Sequence, residues 1–238
     1  MRQNRTLAIG DIHGCLMALD TLLDVVNPGS TDVLISLGDY VDRGPESCGV
    51  LERILGLMSQ TRLFPLLGNH EVMMVGAWRD GIEEDWLAYG GAETLESYGR
   101  ANGLGTIEDV PEHHWDFLTS HCVWHHEGPK HIFVHAGLEA NVPLGEQDPL
   151  WLFWEKLRPE VAQPHVSGKI VVCGHTPQRS GLPLNLGHTV CIDTFVYGED
   201  GWLTCLDVDS GQYWQANQRG ELREGELEPP DHWHTPEL

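Results

Sequence analysis

The sequence predicts an α/β fold, and two observations carry that prediction. In the first third of the chain, apolar segments with strand character alternate with segments whose apolar residues recur at helical spacing. In the second half, short apolar segments bounded by turn residues dominate, which is typical of strands. Alternating strands and helices favour a mostly parallel sheet, and 238 residues are enough for one domain with a sizeable core.

The first unit consists of a strand, a loop and a helix. Residues 6–10 are apolar and extended in character, and the helical pattern that follows stops at Asn27-Pro28-Gly29. The unit then repeats, with a buried strand at 32–37, a second helix and a third strand at 62–67. Ligands of such sheets collect in loops at the carboxyl ends of the strands, so we expect function in the loops GDIHG, GDYVDRG and GNHE.

The middle of the chain, residues 76–126, is helical but irregular in pattern, and we interpret it as a helical insertion. Four tryptophans in this segment are expected to be packing anchors, because their large side chains bury the most apolar area. They are Trp78, Trp86, Trp115 and Trp124.

Strands resume after the insertion, and the last two form a hairpin that turns at Asp209-Ser210-Gly211. The strand segments are 131–134, 170–173, 189–193, 202–208 and 212–217. We therefore predict one domain over residues 1–217. Residues 218–238 are polar, acidic and proline-containing, which predicts a loosely ordered tail.

Composition disfavours several classes of protein. The formal charge is −22, so the average surface should repel nucleic acid and anionic membranes. No apolar run approaches the roughly 20 residues of a membrane span, and the N-terminal residues lack the apolar stretch of a secretory signal, so we expect a cytoplasmic protein. The six cysteines include no CxxC pair, which disfavours a zinc ribbon and a disulfide framework.

Six side chains at predicted strand ends form a ligand set suited to two divalent ions. Asp11 and His13 are two residues apart in an extended segment, so both side chains can point to the same side and share one ion. Carboxylate, amide and imidazole groups at the ends of later strands add oxygen and nitrogen ligands. These are Asp39, Asn69, His135 and His175.

Glycine precedes four of these six residues, where the chain must turn sharply and approach a ligand closely. A lone Asp-x-His or an isolated histidine is more often structural, and tight turns alone would explain the glycines. Turns alone do not explain why each one presents a carboxylate, an amide or an imidazole. A two-metal site explains both features.

Five motifs resemble, in order along the chain, those of the phosphoprotein phosphatase branch of the calcineurin-like metallophosphoesterases. That branch includes serine/threonine protein phosphatases, with bacterial and phage members, and bacterial dinucleoside tetraphosphate hydrolases. The motifs are GDIHG at 10–14, GDYVDRG at 38–44, GNHE at 68–71, HAG at 135–137 and GHT at 174–176. The resemblance spans about residues 6–208 and implies a β-sandwich flanked by helices, with a dinuclear metal site at the strand edge, instead of one doubly wound sheet.

The resemblance also implies a role for each ligand. It assigns Asp11 and His13 to the first metal, Asp39 to both metals, and Asn69, His135 and His175 to the second metal. The two ions, expected to be Mn²⁺ with Fe or Zn as alternatives, would activate a bridging water for direct attack on phosphorus. No phosphoenzyme is expected.

The same motifs imply a catalytic acid and a phosphate-binding group. His70 would protonate the leaving alkoxide, and Asp42 would orient its imidazole and favour the protonated form. Arg43 can bind phosphate oxygens bidentately and so acts both in catalysis and in substrate binding. Asn69 is expected to face the substrate as well as the metal.

The second phosphate clamp departs from the family pattern. In related bacterial and phage enzymes a tryptophan, a variable residue and a phosphate-binding arginine end the segment after HAG, whereas here Trp154 and Glu155 precede Lys156. Either Lys156 or Arg158 fills that role, or both are only surface charges. Tyr197 either lines the substrate rim, as in similar phosphatases, or is a packing residue.

These features predict a metal-dependent phosphatase for phosphomonoesters, with phosphoserine and phosphothreonine proteins as substrates. A dinucleoside tetraphosphate pyrophosphohydrolase is the alternative. A third hypothesis is an inactive phosphate-binding module. It would require loss of a metal ligand or of the catalytic acid, and the sequence retains all of them. The histidines between the motifs are interpreted as solvated or packing residues. They are His113, His114, His121, His125, His126 and His131.

Overall fold

The computed structural model describes residues 4–81, 83–99 and 105–230, and its strands build two sheets. The strands are β1 (Thr6–Ile9), β2 (Val33–Ser36), β3 (Arg62–Pro65), β4 (His125–Glu127), β5 (His131–Val134), β6 (Ile170–Cys173), β7 (Leu184–Asn185), β8 (Thr189–Cys191), β9 (Leu203–Asp207), β10 (Gln212–Ala216) and β11 (Leu222–Glu226). One sheet has the order β11-β10-β9-β1-β2-β3, and the other has the order β4-β5-β6-β8-β7.

Helices cover the outer faces of these sheets. The α-helices are α1 (Leu16–Val26), α2 (Ser47–Leu57), α3 (Asn69–Asp80), α4 (Glu84–Trp86), α5 (Ala92–Tyr98), α6 (Glu112–Asp116) and α7 (Pro149–Phe153). None of the helices in the described ranges combines the length and the apolar character that a membrane crossing needs.

Each sheet contains three consecutive parallel strands. Strands β1, β2 and β3 run parallel, as do β5, β6 and β8, while β4 and β7 pair antiparallel at the edges of the second sheet. The predicted hairpin is confirmed as β9 and β10, and β9 pairs antiparallel with β1. The alternation of strands and helices therefore predicted the parallel pairing of β1–β3 correctly. It did not predict that β9, β10 and β11 extend the same sheet in antiparallel fashion.

Alternate residues of each strand explain why the sheets face each other. On β1, Leu7 and Ile9 pack against the apolar faces of α1 and α2, whereas Ala8 points to the second sheet. Phe133 and Val172 meet it there, so the inner faces share one core. Because a strand buried on both faces needs apolar residues at every position, this arrangement accounts for the continuous apolar runs. The predicted sandwich flanked by helices is confirmed.

The expectation of a loosely ordered tail from residue 218 is wrong for Leu222–Glu226. These residues form the edge strand β11, which pairs antiparallel with β10. The pairing provides hydrogen-bond partners for backbone groups of β10 that would otherwise lie at the sheet edge. Arg223 lies over the ring of Trp202, with 4.1 Å between its Cζ atom and the ring centroid, and donates to Oε1 of Gln215. Polar residues can thus form an edge strand, where one face meets solvent. Residues 231–238 lie outside the described residues.

Where it is described, the predicted insertion is mainly helical between α3 and β4, with irregular helical turns at 87–91, 107–109 and 117–121, and residues 82 and 100–104 lie outside the described residues. Trp86 and Trp115 are buried, as expected of packing anchors. Trp78 and Trp124 are 43% and 51% exposed, so the anchor prediction is wrong for these two. Trp78 instead stacks on Trp115 with 4.5 Å between ring centroids.

Candidate active site

The six predicted ligands lie at one edge of the sandwich, because each follows the carboxyl end of a parallel strand. Asp11 and His13 follow β1, Asp39 follows β2, Asn69 begins α3 after β3, His135 follows β5 and His175 follows β6. The parallel strands point the same way, so the turns after them come together. This edge is the meeting point that the motifs predicted.

The backbone of these turns is unusual. His13, Asp39 and His175 have positive φ angles of 46°, 50° and 59°, a region that non-glycine residues seldom adopt. A side chain on Gly68 or Gly174 would collide with a predicted ligand, since a Cβ atom would lie 2.2 Å from Oδ1 of Asp39 or 2.0 Å from Oδ1 of Asp11. These two glycines are therefore required for close approach to the carboxylates, as the sequence suggested. Such strain persists at functional sites where the surrounding structure enforces it.

Asp39 is common to two groups of potential ligands. Its carboxylate lies 3.4 Å from Nε2 of His13 through one oxygen and 3.4 Å from Nε2 of His135 through the other. The ligand atoms of His13, Asp39 and His70 lie within 4.8 Å of one another, as do those of Asp39, His135 and His175. One carboxylate with an oxygen directed to each group is the arrangement that a bridging ligand needs.

Asn69 completes the second of these groups. Its Oδ1 atom lies 2.9 Å from Nε2 of His135 and 3.0 Å from Nδ1 of His175. His135 uses its other ring nitrogen, Nδ1, to contact the backbone carbonyl of Leu37 at 2.8 Å. His13 contacts the carbonyl of Val41 in the same way, at 3.0 Å. In both rings the carbonyl selects the tautomer whose Nε2 lone pair faces the cluster.

Asp11 lies beside these groups, and only one of its two carboxylate oxygens accepts a hydrogen bond among the described residues. Its Oδ2 accepts the backbone N–H of His175 at 2.9 Å, whereas Oδ1 is buried and has no hydrogen-bond partner among the described residues. Burial and the negative charges of Asp193 and Asp39 raise the pKa of Asp11 well above its ordinary value. A buried carboxylate oxygen with no donor costs free energy unless a cation accompanies it.

The pKa values of Asp39, His135 and His175 are all lowered, either by neighbouring charges or by burial. Burial alone would raise the pKa of Asp39, but the imidazoles of His135 and His70 outweigh it and hold that pKa below the ordinary value. Burial lowers the pKa of His135, and burial together with His135 lowers that of His175 to about 4. These imidazoles are therefore neutral at pH 7, the form in which histidine binds metal.

His70 and Asp42 form a buried pair at the rim of this cluster. Nδ1 of His70 lies 2.6 Å from Oδ2 of Asp42, and its Nε2 lies 4.0 Å from Asp39. Burial alone would lower the pKa of His70, but Asp39 and the hydrogen bond to Asp42 outweigh it, so the pKa is raised. The arrangement leaves Nε2 free to hold a proton toward the cluster.

The helical insertion supplies two hydrogen bonds to Asp42 that sequence reasoning missed. Trp86 donates from Nε1 to the Asp42 carboxylate at 3.0 Å, and Thr94 donates from Oγ1 at 2.7 Å. The insertion also contacts the neighbouring residue, since the carbonyl of Gly90 accepts the backbone N–H of Arg43 at 3.3 Å. A tryptophan and a threonine in an irregular helical segment carry no motif, so the sequence offered no signal for them.

Glu71 was also missed, although it belongs to the GNHE motif. Its buried carboxylate accepts the backbone N–H groups of Gly68, Asp39, Tyr40 and Val41 at 2.7 to 3.2 Å. Burial and the charge of Asp39 raise its pKa to about 8. Glu71 thus ties the turn that carries Asn69 to the turn that carries Asp39, and its place in the motif was the available signal.

Asp193 is a second buried carboxylate beside Asp11 that the sequence reasoning treated only as a strand end. It follows β8 at the same sheet edge and accepts the backbone N–H of Phe195 at 3.0 Å. Burial raises its pKa to about 7. Its position after a parallel strand was the signal that it belongs with the cluster.

The predicted phosphate-binding residues differ in how closely they approach the cluster. Arg43 donates from Nη1 to Nε2 of His13 at 2.9 Å, and its Cζ lies 4.6 Å from the ring centroid of Tyr197. The Tyr197 ring in turn contacts the ring of His13, with 4.9 Å between centroids. Arg43 and Tyr197 are therefore both at the site.

Lys156 and Arg158 lie on the exposed loop after α7. Arg158 pairs with Glu155 at 3.5 Å, and its side chain is 66% exposed. The charge of Lys156 instead acts on His175, as one of the smaller influences that lower the pKa of that histidine. Lys156 therefore has an electrostatic effect on one of the predicted ligands.

Known proteins with similar sequences are phosphoesterases. The family model described as calcineurin-like phosphoesterase matches residues 4–202. The chain is 37% identical over 180 residues to serine/threonine-protein phosphatase 1 of Salmonella typhimurium strain LT2, covering 72% of this chain and 78% of that protein. It is 32% identical over 146 residues to the symmetrical bis(5'-nucleosyl)-tetraphosphatase of Pseudomonas putida strain F1, covering 59% of this chain and 45% of that protein.

The chain thus spans about half the length of the tetraphosphatases that it matches. A crystal structure described only provisionally as a diadenosine tetraphosphatase has the same fold, with a TM-score of 0.60, 19% identity, and coverage of 94% of this chain and 93% of that one. The family model covers most of the chain, and the phosphatase match extends over more than two thirds of both proteins. This chain belongs to the calcineurin-like phosphoesterase family.

Proposed function

We propose that this chain is a metal-dependent phosphatase that hydrolyses phosphomonoesters, with phosphoserine and phosphothreonine proteins as its substrates. The observation that carries the proposal is the buried His70–Asp42 pair next to Asp39, whose two carboxylate oxygens lie close to His13 and His135. A proton donor adjacent to a dinuclear ligand set is the combination that phosphate ester hydrolysis needs, because the leaving oxygen must be protonated while the attacking oxygen is activated.

The residues at the sheet edge fit two divalent cations. Oδ1 of Asp11 is buried without a partner among the described residues, and the negative charges of Asp193 and Asp39 act on the same carboxylate. The raised pKa of Asp11 reflects burial and that excess of negative charge, which bound cations would neutralise. Oxygen and imidazole ligands without a thiolate suit Mn²⁺, and they also accept Fe or Zn.

In this proposal Asp11 and His13 would hold one cation, Asn69, His135 and His175 would hold the other, and Asp39 would serve both. Bound divalent cations supply Lewis acidity, which lets water attack phosphorus at neutral pH and offsets charge on the phosphoryl oxygens. Because Val41 and Leu37 fix the rings of His13 and His135, the ligand atoms are oriented before any cation arrives.

His70 is the proton donor to the leaving oxygen. Its imidazole is held by Asp42, and the carboxylate favours the protonated ring through a hydrogen bond of 2.6 Å. Trp86 and Thr94 donate to Asp42 in turn, so the carboxylate that orients His70 is itself held in place. A fixed donor contributes typically about 10²- to 10⁴-fold to such a reaction.

Arg43 binds the phosphate and Tyr197 limits its position. The guanidinium group lies between His13 and the Tyr197 ring at the edge of the cluster, and its planar donors suit phosphate oxygens. Lys156 is the second cation in this proposal, since it acts on His175 while Arg158 pairs with Glu155. Asn69 faces both the cations and the substrate.

Two classes of substrate are compatible with this chemistry. The phosphatase assignment is favoured by the Salmonella relative, which shares more identity with this chain over a longer part of both proteins. The alternative, hydrolysis of dinucleoside tetraphosphates, is favoured by the several Pseudomonas relatives that carry that activity in their names. A dinucleotide substrate would need nucleoside-binding residues in addition to the phosphate site.

One experiment tests both proposals. We expect the purified protein to lose activity in excess chelator, to regain it best with Mn²⁺, and to prefer phosphoserine or phosphothreonine peptides over diadenosine tetraphosphate. Full activity with the metal shown to be absent would refute the metal-dependent mechanism. A strong preference for the dinucleotide would leave the mechanism intact and overturn the substrate assignment.

A further inference from the structure

A second cluster of metal-ligating side chains lies away from the active site, where the helical insertion meets α2. Glu52 on α2 faces His113 and His114 on α6, and one ligand atom from each of the three lies within 4.8 Å of the others. Nε2 of His113 is 2.8 Å from Oε1 of Glu52, and Nε2 of His114 is 3.2 Å from the same oxygen. The interpretation of these two histidines as unrelated solvated or packing residues is therefore incomplete.

We infer that Glu52, His113 and His114 bind a zinc-class divalent cation that fastens the insertion to α2. Two imidazoles and one carboxylate are a common zinc ligand set, with water in the fourth position. In tetrahedral zinc sites with bonds of 2.0–2.2 Å, neighbouring ligand atoms lie roughly 3.3–3.6 Å apart. Starting from the observed 2.8 and 3.2 Å, the Glu52–His113 separation would have to lengthen by about 0.5–0.8 Å and the Glu52–His114 separation by about 0.1–0.4 Å.

The site has room for that shift because two of its three side chains are half-exposed to solvent. The side chains of Glu52 and His113 are each 54% exposed, whereas that of His114 is fully buried. The site thus combines one rigid ligand with two that can adjust to an incoming ion. Exposure of the other two gives the ion a path from solvent.

His114 is held by a contact of the kind that orients metal-binding histidines. Its Nδ1 atom lies 2.8 Å from the hydroxyl group of Tyr98, the last residue of α5. When Nδ1 donates to the tyrosine oxygen, the lone pair of Nε2 points toward Glu52, where a cation would accept it. The opposite arrangement, with the hydroxyl donating and Nε2 carrying hydrogen, describes a metal-free hydrogen bond to Glu52.

A cation at this point would connect three helices that surround the catalytic pair. It would join α6 to α2 directly and α5 through Tyr98, and α5 also carries Thr94, which donates to Asp42. The N-terminal residue of α2, Ser47, contacts both Asp42 and Thr94. The ion would therefore be structural and would resist separation of the insertion from the core.

Metal content measured in matched variants tests this inference. Protein stripped with chelator, reloaded with Zn²⁺ and desalted is analysed for zinc as the wild type, Glu52→Gln and His113→Ala, because both altered side chains are half-exposed and tolerate substitution. His121→Ala is the control, since His121 lies in the same insertion, is half-exposed and pairs with Asp116 instead. We expect each test variant to lose one equivalent of zinc per chain and the control to lose none.

Cobalt absorption identifies which site has lost the ion. Four-coordinate Co²⁺ absorbs visible light more strongly than Co²⁺ with five or six ligands, so the wild-type spectrum minus the His113→Ala spectrum should contain a four-coordinate band. Zinc at a hundredfold excess over its Kd should raise the melting temperature of the wild type by about 5–10 °C more than that of His113→Ala. Equal zinc content in all four proteins, or a difference spectrum without the band, would overturn the inference and leave a metal-free hydrogen-bonded pair.

Discussion

The strand-edge turns and the helical insertion contribute to the same site in different ways. The turns supply every predicted ligand, and backbone groups hold several of these side chains, as the Val41 carbonyl does for His13 and the Leu37 carbonyl for His135. The insertion supplies no predicted ligand, yet Trp86 and Thr94 hold the carboxylate of Asp42. The turns therefore determine which chemistry is available, whereas the insertion determines how well the proton donor is held.

This difference predicts a large loss for a change among the ligands. His135→Ala removes an imidazole from the group that contains Asn69 and His175, so bound metal should fall and turnover of every substrate should cease. The loss should be the same for phosphoserine and for p-nitrophenyl phosphate, because activation of water is needed for both. Metal analysis beside steady-state kinetics checks it, and normal metal content with partial activity would remove His135 from the ligand set.

A change of the proton donor should give a smaller and substrate-dependent loss. His70→Ala should retain its metal but lose about 10²- to 10⁴-fold in kcat on phosphoserine, whose alkoxide leaving group needs a proton. With p-nitrophenyl phosphate the deficit should shrink, since that leaving group is already a stable anion. Kinetics on both substrates and metal analysis are the measurements. Equal losses on the two substrates, or a missing metal ion, would mean that His70 has another role.

A change in the insertion should act on His70 through Asp42. The resulting loss of activity should be smaller than that of His70→Ala. Thr94→Val removes the 2.7 Å hydrogen bond to the Asp42 carboxylate, a bond to a charged group that stabilises by about 1.5–3 kcal/mol. We expect roughly tenfold lower kcat on phosphoserine and a smaller effect on p-nitrophenyl phosphate, the same dependence as His70→Ala on a smaller scale.

Thr119→Val is the matched control for this change. Thr119 lies in the same insertion, and its hydroxyl donates to the backbone carbonyl of Trp115 instead of to Asp42. It should lower stability without altering the dependence on the leaving group. If the two threonine variants behave alike in kinetics, the insertion does not act on the proton donor.

The contrast between the regions also explains what could be predicted from sequence. Asp39 and Asn69 were identifiable because each follows a strand and a glycine, so local chain geometry fixes where their side chains go. Trp86 and Thr94 reach Asp42 across 44 and 52 residues of chain, and their partner is set by how the insertion packs. Such a long-range contact cannot be predicted from the residues that neighbour Trp86 or Thr94 in the sequence. Strand β11 was missed for a similar reason, because a polar edge strand is stabilised by its neighbour β10 and not by burial of its own side chains.

The smallest expected effect concerns the exposed loop after α7, which belongs to neither region. Lys156 and Arg158 are both exposed; the charge of Lys156 contributes to lowering the pKa of His175, whereas Arg158 pairs with Glu155. Lys156→Ala should raise KM for a phosphopeptide by up to about fivefold, the scale of an exposed charge pair, and leave kcat nearly unchanged.

Lys156→Arg should retain or improve activity, because a guanidinium group carries the same charge and can also bind phosphate bidentately. Arg158→Ala, the matched loss of a cation two residues away, should be close to silent since Arg158 pairs with Glu155. The KM difference should disappear at about 1 M salt, where exposed charges are screened within roughly 3 Å. If Arg158→Ala proves to be the damaging change and Lys156→Ala is silent, the clamp is Arg158, and the loop must close on the substrate in a way that breaks the Glu155 pair.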